Sequence, residues 1–249
     1  MKLRYLILGR QCLFCGKTVD PRDEFCKSCA REAKEAQVTD HRGGPVSLYY
    51  GIGAVHQGLH RFKYRTCAEF GFACGKKLAR IFAKRGEHAH LVTCVPRAKD
   101  GLPRRYNQSD VLAKAFARTA GLPYDGRLLG KRRGARTQVE CRTVKEREAN
   151  AKKSFCMGKS KRDLQGLRVV LVDDLYTTGA TARACAELLR KRGASEVLIY
   201  TAARAVLRPS WRLVRSAKTT VAGDLSPATQ IRFRLSPQGK QVVEGKLRP

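Results

Sequence analysis

The sequence predicts an α/β protein, a parallel sheet flanked by helices, with a small cysteine-rich module ahead of it. Three observations carry this reading. Val169 to Val172 is an unbroken apolar run, followed by Asp173, Asp174 and a Thr/Gly segment. Thr181 to Arg192 then places apolar residues at 182, 184, 185, 188 and 189, which is helical spacing, and Gly193 stops the helix. Val197 to Tyr200 is a second apolar run, so strand, helix and strand follow one another as a βαβ unit with a right-handed crossover. The 249 residues are 43% hydrophobic, enough to bury a sizeable core and too apolar for a wholly disordered basic chain.

The module ahead of the sheet is read from its cysteines. Of ten in the chain, four form Cys12-x2-Cys15-x10-Cys26-x2-Cys29 and the others stand singly. Two CxxC pairs in a short polar stretch supply four thiolates that can converge on one tetrahedral Zn²⁺. Gly16 allows a tight knuckle, and Lys17, Arg22 and Lys27 can offset the negative charge of the thiolates. Four protein ligands leave no open position, so the zinc is expected to be structural. The remaining cysteines read as core or incidental residues.

The other elements follow in order. A charged helix is expected near Ala30 to Gln37, and His41 to Pro45 is a Gly/Pro linker. Val46 to Val55 reads as a strand, His56 to Ala83 as one or two helices, and His90 to Val95 as a strand bounded by Pro96. Asn107 to Ala120 has helical spacing, with Asn107 or Ser109 as its cap. From Arg127 to Arg162 periodicity fades among thirteen Lys/Arg and three Glu, and a long mobile loop with a short helix is expected. Residues 205–249 hold nine Lys/Arg and two acids. They read as a basic, partly disordered extension, with short strands at Ile231 to Leu235 and Val242-Val243. The expected division is therefore 1–40 for the zinc ribbon, 46–204 for the α/β domain and 205–249 for the extension.

The most informative segment joins the central strand to its helix. Asp173 and Asp174 emerge at the carboxyl end of a parallel strand, where open α/β sheets bind ligands. Thr177, Thr178, Gly179, Ala180 and Thr181 open the next helix, whose backbone N–H groups and dipole favour a phosphate. Gly179 lets the backbone approach closely, and the threonine hydroxyls add donors. The loop carries no Lys or Arg, which suits one phosphate monoester. The two carboxylates are acceptors suited to the hydroxyls of a neighbouring sugar. Together these features suit a ribose 5-phosphate with a free diol. Neither a Walker A loop nor GxGxxG is present in the segment.

This segment resembles the fingerprint of the type I phosphoribosyltransferases, which bind phosphoribosyl pyrophosphate (PRPP). A zinc ribbon followed by such a domain resembles the ComF family, which includes the GntX-like proteins. Phe62-Lys63-Tyr64, Val95-Pro96-Arg97 with Ala98-Lys99, and Arg104-Arg105-Tyr106-Asn107-Gln108-Ser109 are similar to three of its elements. Gln138, Arg147, Asn150 and Phe155 are similar to a fourth. Arg105 stands where the family usually has Gly, and only Pro96 of two usual prolines is present. The resemblance implies Mg²⁺ bound with PRPP, Asp173 and Asp174 on the ribose diol, and the Thr177–Thr181 loop on the 5-phosphate. It implies that Arg97 and Lys99 cover the pyrophosphate, with Arg104, Asn107, Gln108, Gln138, Arg147 and Asn150 as further pyrophosphate or lid residues.

Charge adds a second line of expectation. With 51 Lys+Arg against 21 Asp+Glu, the formal charge of +30 predicts a polyanionic partner. Two functions remain open at this point. One is transfer of a phosphoribosyl group to a nitrogen acceptor. The other, implied by the ComF resemblance, is an accessory role in DNA uptake during natural transformation, with single-stranded DNA and DNA-uptake proteins as partners and the pocket sensing a ligand. In that second reading Phe14 or Phe25 could stack a base. No apolar run approaches a membrane span and no secretory segment is evident, so a cytoplasmic protein is expected.

Overall fold

The computed structural model describes residues 10–38, 44–65, 67–97, 106–132 and 144–206, and two strands near the carboxyl end. The chain divides into two units, residues 1–208 and 209–249. In the first, β1 (Arg10–Gln11) and β2 (Thr18–Val19) form a short antiparallel ribbon, followed by helix α1 (Lys27–Glu35). Then come β3 (Val46–Tyr50), α2 (Gly53–Tyr64), α3 (Ala68–Lys84), β4 (Leu91–Cys94) and α4 (Gln108–Ala120). After these follow β5 (Leu129–Lys131), α5 (Val144–Ser154), β6 (Phe155–Met157), β7 (Arg168–Tyr176), α6 (Ala180–Lys191) and β8 (Glu196–Arg204). In the second unit β9 (Arg232–Leu235) pairs antiparallel with β10 (Gln241–Glu244), at the two places where the sequence suggests strands.

The central sheet is parallel, in the order β3-β8-β7-β4. Strand β7 is covered on both faces, which is why it reads as a continuous apolar run rather than an alternating one. Its period of two sends Val170 and Val172 into one cluster and Val169 and Leu171 into another. The first cluster holds Phe62, Phe70, Phe82 and Phe116 from α2, α3 and α4. The second holds Ala184, Cys185 and Leu189 from α6, with Leu128, Leu129, Phe155 and Leu164. Asn107 caps α4, its Oδ1 accepting from the Ser109 N–H at 3.2 Å, and Gly121 ends the helix in the left-handed conformation.

Two expectations need correction. The stretch from 127 to 162 is not simply a long loop. Strands β5 and β6 pair antiparallel, Leu129 opposite Met157 and Lys131 opposite Phe155, and α5 leads directly into β6. Its buried anchors Leu128, Leu129, Ala151 and Phe155 are dispersed among polar residues, so no local period announces them. Their partners lie far along the chain. Strand β7 also runs past Val172: Asp173 pairs with Thr201 and Tyr176 with Arg204. Both acids are therefore strand residues with fixed backbone, not members of a loop.

Among the described residues, no helix is long and apolar enough to cross a membrane.

Candidate ribose-phosphate site and metal centre

The site forms at the carboxyl end of β7. Asp173 is 9% exposed. Its Oδ1 accepts from Ser109 Oγ at 2.9 Å and from the backbone N–H of Asp174 at 2.9 Å. Burial, with the adjacent Asp174 charge second, pushes its carboxyl up to about 7. Asp174 meets Lys63, whose Nζ lies 3.2 Å from its Oδ2. That carboxylate holds the Lys63 ammonium above the ordinary lysine range. The Lys63 head group thus pairs with a carboxylate at the end of β7.

Lys63 is delivered by the last turn of α2, and that turn is held from α4. Tyr106 Oη donates to the Phe62 carbonyl at 3.0 Å. Gln108 Nε2 donates to the Phe62 and Lys63 carbonyls at 3.4 and 3.3 Å, with the side chain buried. These bonds satisfy carbonyls that a helix end leaves open. Asn107 Nδ2 donates to the Val95 carbonyl at 3.1 Å, tying the segment after β4 to the start of α4. The Gln108 amide thus bonds to backbone, and the Asn107 amide to the Val95 carbonyl and the Cys94 thiol.

The loop from Thr177 to Thr181 opens α6. Gly179 has φ +78°, and a Cβ there would run into the Tyr176 hydroxyl and the Arg183 guanidinium. The Thr178 hydroxyl accepts from the Ala180 N–H at 3.4 Å, and the Gly179 carbonyl accepts from the Arg183 N–H at 2.8 Å. Arg183 Nη1 also donates to the Thr178 carbonyl at 2.8 Å. The reading of this loop as free of cations thus misses one. Arg183 lies four residues beyond Gly179 on the same helix, so helical spacing was the available signal.

The other site residues named from the sequence are placed as follows. Arg97 follows β4 and is half-buried. Asn150 is on α5, its Oδ1 accepting from Ser154 Oγ at 3.2 Å. Arg147 lies on the backbone of α5, and its side chain is outside the described residues, as are Lys99, Arg104 and Gln138.

The four cysteines converge. The Sγ atoms of Cys12, Cys15, Cys26 and Cys29 all lie within 4.8 Å of one another, and Cys15 and Cys26 are 3.7 Å apart. A tetrahedral ion with metal–sulfur bonds of about 2.3 Å would set sulfurs about 3.8 Å apart, so the donor set can hold such a metal. Gly16 N donates to the Cys12 carbonyl and Cys12 N to the Lys17 carbonyl, which closes the first knuckle. Arg22 pairs with Asp20 at 3.0 Å, so the surplus charge assigned to it is already matched.

The ribbon is packed onto α2 and α3. Phe14 is fully buried, stacks on Phe25 with centroids 4.5 Å apart, and meets Phe70 at 5.8 Å. The expectation that Phe14 could stack a base is therefore overturned. Lys77 Nζ lies 4.6 Å above the Phe25 ring and 2.9 Å from Glu24. Arg61 of α2 donates to the Cys12 carbonyl at 2.7 Å and to Gln11 Oε1 at 3.0 Å. Glu32 of α1 accepts from the Ala54 N–H at the start of α2 at 2.8 Å. A Cβ at Gly58 would fall onto the Phe14 ring and against Phe70. Gly58→Ala should therefore cost about 1–3 kcal/mol from overpacking. That loss outweighs the roughly 1 kcal/mol by which Ala is favoured over Gly in a helix. The midpoint of urea unfolding reads it, and an unchanged or higher midpoint would contradict this packing.

With this geometry in view, comparison with known proteins is informative. Residues 68–221 match the phosphoribosyl transferase domain family. Competence protein F of Haemophilus influenzae is 28% identical over 211 residues, covering 78% of this chain and 84% of that protein. Competence protein ComFC of Bacillus subtilis is 28% identical over 204 residues, covering 80% and 79%. DNA utilization protein YhgH of Salmonella typhimurium is 26% identical over 207 residues, covering 78% and 89%. The chain belongs to the phosphoribosyl transferase domain family, as a ComF-type protein with a four-cysteine module ahead of the domain.

Proposed function

We propose that the chain binds PRPP with Mg²⁺ and transfers its phosphoribosyl group to a nitrogen acceptor. The observation that carries this reading is the sequence of groups along one strand end. Asp173 and Asp174 are followed by a Thr/Gly turn that opens α6, and Lys63 is paired with Asp174. Asp174, and Asp173 behind it, hold the ribose diol. Thr177, Thr178, Gly179, Ala180 and Thr181 cradle the 5-phosphate at the helix start, with Arg183 nearby as the cation. Arg97 and Lys99, with Arg104, Gln138 and Arg147, are assigned to the pyrophosphate.

The carboxylates are hard oxygen donors that suit Mg²⁺, which arrives with the substrate and neutralises the leaving group when bound. The acceptor nitrogen's lone pair forms the new bond to C1 as the C1–oxygen bond breaks. The electron pair of that bond leaves with pyrophosphate, and the nitrogen then gives up its proton to water. The residues contribute by positioning the reactants and stabilising charge, not by covalent attack. Zinc is the metal assigned to the four thiolates, in a structural role, and the protein is placed in the cytoplasm.

Saturating PRPP with Mg²⁺ should raise the melting temperature. At one hundred times Kd the gain is about 2.7 kcal/mol, or roughly 5–11 °C for a domain of this size. Gly179→Val should remove the rise and also lower the melting temperature without ligand, because a β-branched residue at φ +78° is strained and its Cβ meets Tyr176 and Arg183. Pyrophosphate release across a panel of acceptors then separates an enzyme from a sensor. No shift at millimolar PRPP would sink the reading.

A second reading is favoured by the names of the relatives, which are competence and DNA utilization proteins, and by the charge of +30. In it the chain serves DNA uptake, contacts single-stranded DNA and uptake proteins, and uses the pocket to sense a ligand. Binding of single-stranded DNA with a steep salt dependence, without pyrophosphate release for any acceptor, would select it.

A further inference from the structure

The start of helix α4 touches three parts of the site. Tyr106 and Gln108 close the end of α2, which carries Lys63. Ser109 Oγ donates to Asp173 Oδ1. Asn107, among them, uses both ends of its amide. Its Oδ1 accepts from the Ser109 N–H at 3.2 Å and caps the helix, while its Nδ2 donates to the Val95 carbonyl at 3.1 Å. Ser and Asp cap a helix about as well as Asn does, but neither offers an N–H for a second partner. The bond to Val95 therefore needs a reason other than capping.

Val95 is the first residue beyond β4. Its N–H donates to the Val172 carbonyl at 3.0 Å, so the chain leaves β4 beside Asp173 on the neighbouring parallel strand. A peptide unit is planar, so fixing the Val95 carbonyl fixes the plane that ends at the Pro96 nitrogen. The Pro96 ring then holds its own φ at about −65°. Between that anchored plane and Arg97 the only soft dihedral is the ψ of Pro96. Arg97 is half-buried and follows β4 at the sheet end that carries the two carboxylates. The frame to which Val95 is fastened is itself firm, because Gln108 and Ser109 are buried and bonded to α2 and to β7.

We infer that Asn107 is a positioning residue for the leaving group: by holding the Val95 carbonyl it sets Arg97 beside the carboxylates, where the guanidinium meets the pyrophosphate of PRPP. This rests on the phosphoribosyl-transfer reading above. Two ligands that differ by the pyrophosphate separate the two. Ribose 5-phosphate reports the sugar-phosphate site alone. PRPP with Mg²⁺ reports the added pyrophosphate.

By isothermal titration calorimetry, PRPP with Mg²⁺ should bind the full chain about 10-fold or more tighter than ribose 5-phosphate, the gain expected from added charged hydrogen bonds. Asn107→Ser keeps a capping oxygen and loses the amide N–H. It should cut that preference about 5- to 10-fold while leaving ribose 5-phosphate within about 2-fold of its parent value. Asn107→Asp, equal in size and also a cap, should cut it at least as much, since it sets an acceptor against the Val95 carbonyl. Arg97→Ala should also lose the preference, and adding Asn107→Ser to it should cost nothing further, because Asn107 acts through Arg97. An unchanged ratio of the two affinities in both Asn107 variants, whether or not both ligands weaken, would reduce Asn107 to a helix cap and overturn the inference. Losses that simply add in the double variant would overturn it too. Equal binding of the two ligands to the parent protein would overturn it and leave the sugar-phosphate site standing. Absence of ribose 5-phosphate binding at millimolar concentration would overturn the underlying reading and this one with it.

Discussion

Removing the metal from the four-cysteine centre is expected to unfold the ribbon and to loosen the ribose-phosphate site with it. Structural zinc contributes about 10–16 kcal/mol in small cysteine modules, as much as the whole stability of a typical domain. The ribbon has little else to hold it: two two-residue strands and one helix of nine residues with Cys29 and Ala33 buried. Yet it is not an appendage. Leu13 and Phe14 belong to the same cluster as Phe62 and Phe70, and Arg61 and Glu32 tie α2 to the ribbon at both ends of the interface. Losing the ribbon strips Phe14 from the α2–α3 surface and leaves the Arg61 guanidinium without the Cys12 carbonyl. Helix α2 carries Lys63 at its far end, so the pairing with Asp174 should weaken. Chelation, or Cys29→Ser, should lower the melting temperature by about 10 °C or more. Ribose 5-phosphate affinity should fall about 10-fold, the usual size of a lost positioning contact. Hydrogen exchange should show α1 and α2 opening first while β7 and β8 stay protected. Elemental analysis should find about one zinc per chain before treatment. Metal loss with an unchanged melting temperature would refute the structural role.

The parts of the fold legible in the sequence are those whose signal is local. Val169 to Val172, the Thr/Gly turn and the α6 spacing lie within one continuous stretch, and the four cysteines carry a spacing that few other structures share. The β5–β6 pair is different. Leu129 and Met157 pair from opposite sides of α5 in the sequence, so neither flank shows a period. Lys63 is the instructive case at the site. Its motif was visible, but its partner, Asp174, is more than a hundred residues away, and only the course of α2 over the sheet joins them. Gln108 shows the reverse. Its neighbours in a motif suggested contact with substrate, whereas its buried amide closes the end of α2. Arg183 was hidden by a boundary drawn too early: a loop read to Thr181 omits the cation one turn into the helix.

Replacing Asp173 with Asn should make the protein more stable at pH 8 while removing its response to PRPP. The side chain is 9% exposed, and its carboxyl titrates near 7 because burial and Asp174 disfavour the charge. In the unfolded chain the same group titrates near the ordinary value of 3.8. Below pH 4 both states hold the proton and the group imposes no penalty on folding. As the pH rises from 4 to 7 the unfolded chain releases its proton first, so the stability supplied by the raised value is progressively lost. Above about 7 the folded protein carries the buried charge and the loss is complete. Asn has no proton to release, and its Oδ1 can still accept from Ser109 Oγ and from the Asp174 N–H. The variant should therefore match the parent at pH 4 and exceed it at pH 8 by about 1–3 kcal/mol, discounted from the full shift because Asp174 shares the charge. That difference corresponds to a rise of roughly 2–12 °C. Melting temperatures measured at pH 4, 6 and 8 would read it, and a variant less stable at pH 8 than at pH 4, relative to the parent, would contradict the assignment. In the proposed binding mode the same substitution takes a carboxylate from the diol, so the PRPP-dependent rise should vanish. A residue whose removal stabilises the fold and abolishes ligand response is held there by function and not by folding, which is the relation expected of a strained active-site carboxylate.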